Sequence, residues 1–295
     1  METSTEEKTS KITELCLAGG GNRGICYIGC IKKLEELDLL RIKKLAGTSI
    51  GAMIGACYLI GYSADEMLKI VIEKQAQDFK DFSFSEQGAI LKGQLYRQWV
   101  YNVFAKKVDP DITLLQLFNK TGIEFIMTAT CIHSARDEFK EGINYFSHIL
   151  TPDLPLITAV NASSAFPFIF PPINYKGHQF IDGGVLDNFP IEYLSSDALG
   201  IKVTFRLLDG SQSTRNPISY VGKIFELISI RLKDLSPGKS KNILSIDCDD
   251  FNIIDFEMSI DDKLTLYKRG YYSMESFITT IFSAESFIAC AKIPQ

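Results

Sequence analysis

IKKLAGTSIGAMIGACYLI, residues 42–60, holds the decision about this chain. Ile42–Ala46 reads as a short strand, Gly47–Gly51 as a tight turn, and Ile50–Ile60 as a helix of small and apolar residues. A serine with glycine two positions before it and two after, at a strand-to-helix junction, fits a nucleophile elbow. The sharp turn drives the serine backbone into a strained region, and Gly47 and Gly51 leave room for the chain to fold back on itself. Ser49 Oγ is then presented at the carboxyl end of the sheet, at the positive end of the following helix. A plain helix N-cap by Thr48 or Ser49 reads the same five residues as well.

Working upstream, Ile12–Ala18 (ITELCLA) is a short apolar run that reads as a buried strand, GGGNRG follows at 19–24, and Ile25–Leu40 has the spacing of an amphipathic helix. Two strand–loop–helix units in fifty residues predict an α/β fold with a parallel sheet. The glycine run has two readings, because such a loop cradles a dinucleotide pyrophosphate or an oxyanion. The dinucleotide reading needs an acidic residue closing the second strand, where this chain has Gly47, Thr48 and Ser49. The loop therefore suits an oxyanion beside Ser49, and each such donor is worth about 2.7–4 kcal/mol in a transition state. Arg23 either meets a phosphate head group or forms a surface salt bridge.

Downstream, 63–122 reads as a helical insertion or lid over the sheet. Its Phe79, Phe82, Phe84 and Trp99 are core residues or a bilayer contact. Strands are expected at Glu124–Ile132, Ile143–Phe146, Gln179–Ile181, Leu199–Phe205 and Ile243–Ile246, and helices at Leu156–Ala165, Ile218–Leu232 and Leu264–Ala289. Asp209–Asn216 and Ser236–Lys241 read as linkers. Asp182, followed by Gly183 and Gly184, closes a strand with its carboxylate uncovered, and a plain Asp-Gly turn is the competing reading. The chain has three histidines, His133, His148 and His178, all upstream of Asp182. The usual α/β-hydrolase order, with histidine last, is therefore missing. His178 reads as an exposed turn or strand residue; a triad of Ser49, His178 and an earlier acid such as Asp153 is the rival.

GGGNRG at 19–24, GTSIG at 47–51 and DGG at 182–184, in that order, resemble the patatin-like phospholipase family, and NASSAFPFIFPPI at 161–173 resembles the stretch before its aspartate motif. The resemblance covers about residues 12–190, within a single domain spanning 1–295 that has a polar tail at 1–10. It implies a three-layer α/β fold, with a mainly parallel central sheet and helices on both faces. It also implies a serine–aspartate dyad without histidine: Ser49 as nucleophile, Asp182 as base, and an oxyanion loop formed by Gly19, Gly20, Gly21, Asn22, Arg23 and Gly24. Gly47, Gly51, Gly183 and Gly184 support those motifs. The substrate so implied is a lipid ester, cleaved through an acyl-enzyme, with Phe166, Phe168 and Phe170 lining an acyl channel or alternating along a half-buried strand. A lipid-binding relative without turnover is the reading from another class.

Composition bounds these readings. With 46% hydrophobic and 23% charged residues and a formal net charge of −5, the chain is of the globular class and lacks the basic field that nucleic acid requires. Residues 1–10 lack the apolar run of a signal peptide, and no stretch approaches the ~18 apolar residues of a spanning helix. An intracellular protein, cytoplasmic or peripheral on membranes, is expected. Seven cysteines without paired spacing read as reduced, buried thiols. No metal site and no cofactor is expected.

Overall fold

The structure is a computed structural model that describes residues 11–74, 76–82, 88–135, 138–204, 220–225, 227–228 and 240–290. The doubled N-terminal unit forms as expected: β1 (Ile12–Leu17), α1 (Ile25–Glu36), β2 (Leu40–Gly47) and α2 (Ile50–Leu59). Strands β1 and β2 pair in parallel. Leu40 opens β2 rather than closing the helix, and α1 is buried along most of its surface. The cause is the last helix, α7 (Ile260–Cys290), which packs along α1. Gly29 of α1 and Gly270 of α7 let the backbones approach so closely that a Cβ at either position would collide with a main-chain oxygen of the other helix.

Between α2 and the third strand lie α3 (Ala64–Glu73), α4 (Gln94–Ala105) and α5 (Leu114–Thr121), so 63–122 carries three helices, with non-helical segments at 80–82, 88–93 and 106–112. Ser63 and Thr113 start α3 and α5 with complete capping boxes. Then follow β3 (Glu124–His133), β4 (Gly142–Phe146), α6 (Leu156–Ser163), β5 (Ile173–Tyr175), β6 (His178–Asp182), β7 (Leu199–Thr204) and β8 (Asn242–Asp247). The sheet order is β5-β6-β3-β2-β1-β7-β8, with β4 also on β3. It is mainly parallel, as expected, through β1-β2, β2-β3, β1-β7 and β7-β8, and antiparallel at one side, where β4 and β6 pair with β3 and β5 pairs with β6. Strands β5 and β6 are joined by Lys176 and Gly177, both at positive φ, which is the backbone of a two-residue hairpin turn.

Alternation along the strands sorts the two faces. Leu15, Leu17, Leu45, Phe125 and Met127 enter the main core with α1, α2, α6 and α7. Cys16, Ala46 and Ile126 point to the opposite face, where a smaller cluster lies under Ile191 and Ala198. The helix expected at Ile218–Leu232 is described at 220–225 and 227–228, where it is helical. The proposed linker at 209–216 and Phe84 lie outside the described residues. Six cysteines, at 16, 26, 30, 57, 131 and 248, are buried free thiols. Among the described residues no helix is long and apolar enough to cross a membrane.

Candidate active site

Strand β3 outruns β2, and this positions the site. Gly47, the last residue of β2, pairs with Met127, and β3 continues to His133. Strand β6 returns along that overhang and ends with Asp182 opposite Ala129. The two pairings lie two residues apart, about 7 Å along β3. Asp182 therefore closes its strand, as expected, and meets the end of β2 on a strand that runs antiparallel to β3.

The turn at 47–51 forms the expected elbow. A Cβ on Gly47 would collide with the Gly51 backbone, and one on Gly51 with the Leu17 carbonyl. Ser49 sits at φ 53° and ψ −122°, a strained region for any residue with a side chain, at a cost of about 1–3 kcal/mol. It occupies the N-cap position of α2, yet its side chain makes no capping bond. Instead Ser49 Oγ donates to Asp182 Oδ2 at 2.6 Å. Asp182 Oδ1 accepts from the Gly184 amide at 2.8 Å. The carboxyl group is fully buried, and burial pushes its pKa up from 3.8 to about 7 against the lowering effect of the Ser49 and Gly184 hydrogen bonds.

Several residues that the sequence did not single out hold this pair. Ser163 Oγ, at the end of α6, accepts the Ser49 amide at 2.9 Å, and the Ala165 carbonyl accepts the Asp182 amide at 2.9 Å. Both belong to the 161–173 stretch noted above. Behind the elbow, Thr48 and Thr128 share a hydroxyl contact of 2.7 Å, and both hydroxyls reach the Asp187 carbonyl. Asn188 ties the aspartate loop to the glycine loop in both directions. Its carbonyl accepts the Gly19 amide at 3.0 Å, and its Nδ2 donates to Gly19 O at 3.2 Å.

Within the glycine loop the amides divide. Asn22 donates its amide to Ile253 O and Arg23 to Gly20 O. Among the described residues no acceptor engages the Gly20 or Gly21 amide. The side chains of Asn22 and Arg23 also turn away from solvent. Asn22 Nδ2 donates to Asp255 O at 2.5 Å, and the buried Arg23 donates from Nε to Phe251 O at 2.7 Å. Arg23 is therefore not a surface residue; it fastens the loop to the segment after β8.

No histidine hydrogen-bonds Ser49 or Asp182. His178 is fully buried rather than exposed: its Nδ1 accepts the Ala135 amide at 3.3 Å and its ring lies edge-on to Phe139. It stands four residues before Asp182, about 13 Å along the strand. His148 stacks on Phe118, His133 is exposed at the end of β3, and Asp153 is exposed.

A cavity of about 220 Å³ opens beside Ser49, lined by Gly21, Met53, Trp99, Phe166 and Phe170 among others. Residues 166–170 form a turn and not a strand, with the Phe170 amide bonded to Phe166 O. Phe166 and Phe170 consequently face the cavity while Phe168 points outward. Phe79 and Trp99 also line it, with rings 5.2 Å apart. Among the described residues no cluster of metal-ligating side chains forms.

The family model described as patatin-like phospholipase matches residues 15–195. An uncharacterized protein of Acanthamoeba polyphaga mimivirus is 28% identical, over 96% of this chain and 100% of its own. A probable lipid hydrolase of Invertebrate iridescent virus 6 is 28% identical, over 60% of this chain and 61% of its own. Among solved structures, VipD from Legionella pneumophila superposes with a TM-score of 0.56 at 16% identity, covering 92% of this chain and 67% of that one.

Proposed function

Because the chain belongs to the patatin-like phospholipase family, we propose that it hydrolyses fatty-acyl esters of phospholipids or related glycerolipids, with Ser49 as nucleophile and Asp182 as its base. The observation that carries this reading is the 2.6 Å hydrogen bond from Ser49 Oγ to a buried carboxylate, beside a loop with two undonated amides. The similarity to a probable lipid hydrolase points the same way.

The chemistry runs in two halves. The Ser49 proton passes to Asp182 Oδ2 as Oγ bonds to the ester carbonyl carbon. The negative charge on the carbonyl oxygen is met by the Gly20 and Gly21 amides and by the positive end of α2. Collapse breaks the ester C–O bond, and Asp182 returns the proton to the departing alcohol oxygen, leaving an acyl-serine. A water molecule then gives its proton to Asp182 and attacks the acyl carbon. A second collapse frees the fatty acid and restores the Ser49 hydroxyl.

An ordinary aspartate is too weak a base for this transfer. The rise to about 7 brings Asp182 into the useful range at neutral pH. The apolar cavity accommodates the acyl chain. Turnover of phospholipid by Ser49→Ala and His178→Gln variants tests the assignment. The dyad predicts a loss of several orders of magnitude for the first and a change within a few-fold for the second. A collapse of turnover in folded His178→Gln would instead support the triad, and parent protein that binds lipid without any turnover would support the non-catalytic reading.

A further inference from the structure

Phe168 is held at φ 66°, a backbone region that a bulky side chain adopts only under strain. The effect of that strain is to expose an aromatic ring. Phe168 is 63% exposed, while Phe166 and Phe170 on either side of it face the cavity. A second exposed ring stands alongside. Phe82, 61% exposed, bridges to Leu91, and the amides of Ile90 and Leu91 donate to the carbonyls of Phe168 and Ile169. The rim continues on the helical residues 220–225 and 227–228. There Phe225 packs on Phe166 with ring centroids 4.5 Å apart, while Ile224 and Leu227 face outward. Lys92, next to Leu91, is exposed and forms no ion pair among the described residues.

We propose that this rim, Phe82 and Phe168 with Ile224 and Leu227, seats on an anionic lipid surface and opens the cavity directly onto it. The inference rests on the acyl-ester reading of Ser49 and names the physical state in which that substrate is met. A long acyl chain that crosses water to reach the cavity exposes every methylene on the way, whereas a docked rim removes that step. The rim has the composition such a contact requires: apolar and aromatic side chains continuous with the acyl cavity, and a free ammonium for anionic head groups.

The test uses the full chain with vesicles of phosphatidylcholine, with and without one third phosphatidylglycerol. It also uses a water-soluble short-chain nitrophenyl ester. The double variant Phe82→Ser, Phe168→Gly removes both rings, and glycine adopts φ 66° without strain, so the turn survives. Vesicle partition and vesicle-lipid hydrolysis are expected to fall tenfold or more, with soluble-ester turnover unchanged within twofold. Lys92→Glu is expected to weaken partition to the anionic vesicles alone. Unchanged partition of the double variant overturns the proposal, as does a parent protein that ignores vesicles but forms a dimer that the double variant dissolves. If the parent turns over neither ester, the catalytic reading fails, and the partition experiment still decides the docking surface.

Discussion

Replacing Asp182 by Asn is predicted to abolish turnover and, at neutral and alkaline pH, to stabilise the fold. Burial raises the Asp182 pKa from 3.8 to about 7, a shift of about 3 units that corresponds to about 4 kcal/mol of differential interaction. The sign follows from proton counts. Between the two pKa values the folded chain holds a proton that the unfolded chain has lost, so unfolding releases it and stability falls as pH rises. Above about pH 7 both states are ionised and the slope vanishes. From pH 5 to pH 8 this one group therefore removes roughly 2.5 kcal/mol of stability. Asn keeps an acceptor for the Gly184 amide and offers Nδ2 to Ser49 Oγ, so both contacts of the pair have a counterpart. Urea unfolding of parent and Asp182→Asn at pH 5, 6, 7 and 8 measures the difference directly, because all other titrating groups are common to both. The variant is expected to gain on the parent by roughly 2.5 kcal/mol across that range. Parallel pH dependences, or a variant that is less stable at pH 8, would refute the raised pKa and with it the argument that burial makes this carboxylate a usable base.

The same titration shapes the rate: kcat/KM for a soluble ester should rise with pH through about 7 and level off above it, since Asp182 must be ionised to accept the Ser49 proton. A profile flat from pH 5 to 9 would count against it. Asn188→Ala removes the Nδ2 donor to Gly19 O and leaves the glycine loop tied to the aspartate loop by the Gly19 amide alone. A bond of this kind is worth about 0.5–1.5 kcal/mol, so kcat should drop by roughly two- to twelvefold with KM little changed. A rise confined to KM would assign Asn188 to substrate binding instead.

The local elements were readable because their signals are local. Glycines at 47 and 51 mark a turn that admits no Cβ, and the repeated strand, loop and helix before residue 60 predicted the parallel pairing of β1 and β2. The reversal of β6 was not readable, because it depends on β3 extending past β2 and no feature of the β3 residues announces where its neighbour stops. The 166–170 alternation was misleading for a related reason. Phe, Pro, Phe, Ile, Phe has strand periodicity, but the positive φ at Phe168 turns the chain and splits the three rings between cavity and solvent. His178 was misjudged because a polar residue near a Gly turn was read as exposed, whereas its ring fills a pocket of aromatics around Phe139. Asn188 and Ser163 act through single long-range hydrogen bonds that leave no periodic trace. Asn188 follows the DGG motif by four residues, which is the one positional hint the chain offers.

The claim on which the rest stands is that the hydroxyl at position 49 is the activated nucleophile. Reaction of the intact protein with an active-site fluorophosphonate, followed by peptide mapping, measures this most directly. The dyad predicts one phosphonylated residue, Ser49, and labelling that is slower by two orders of magnitude or more in Asp182→Asn. A label on another serine, or equal labelling rates in parent and Asp182→Asn, would contradict it.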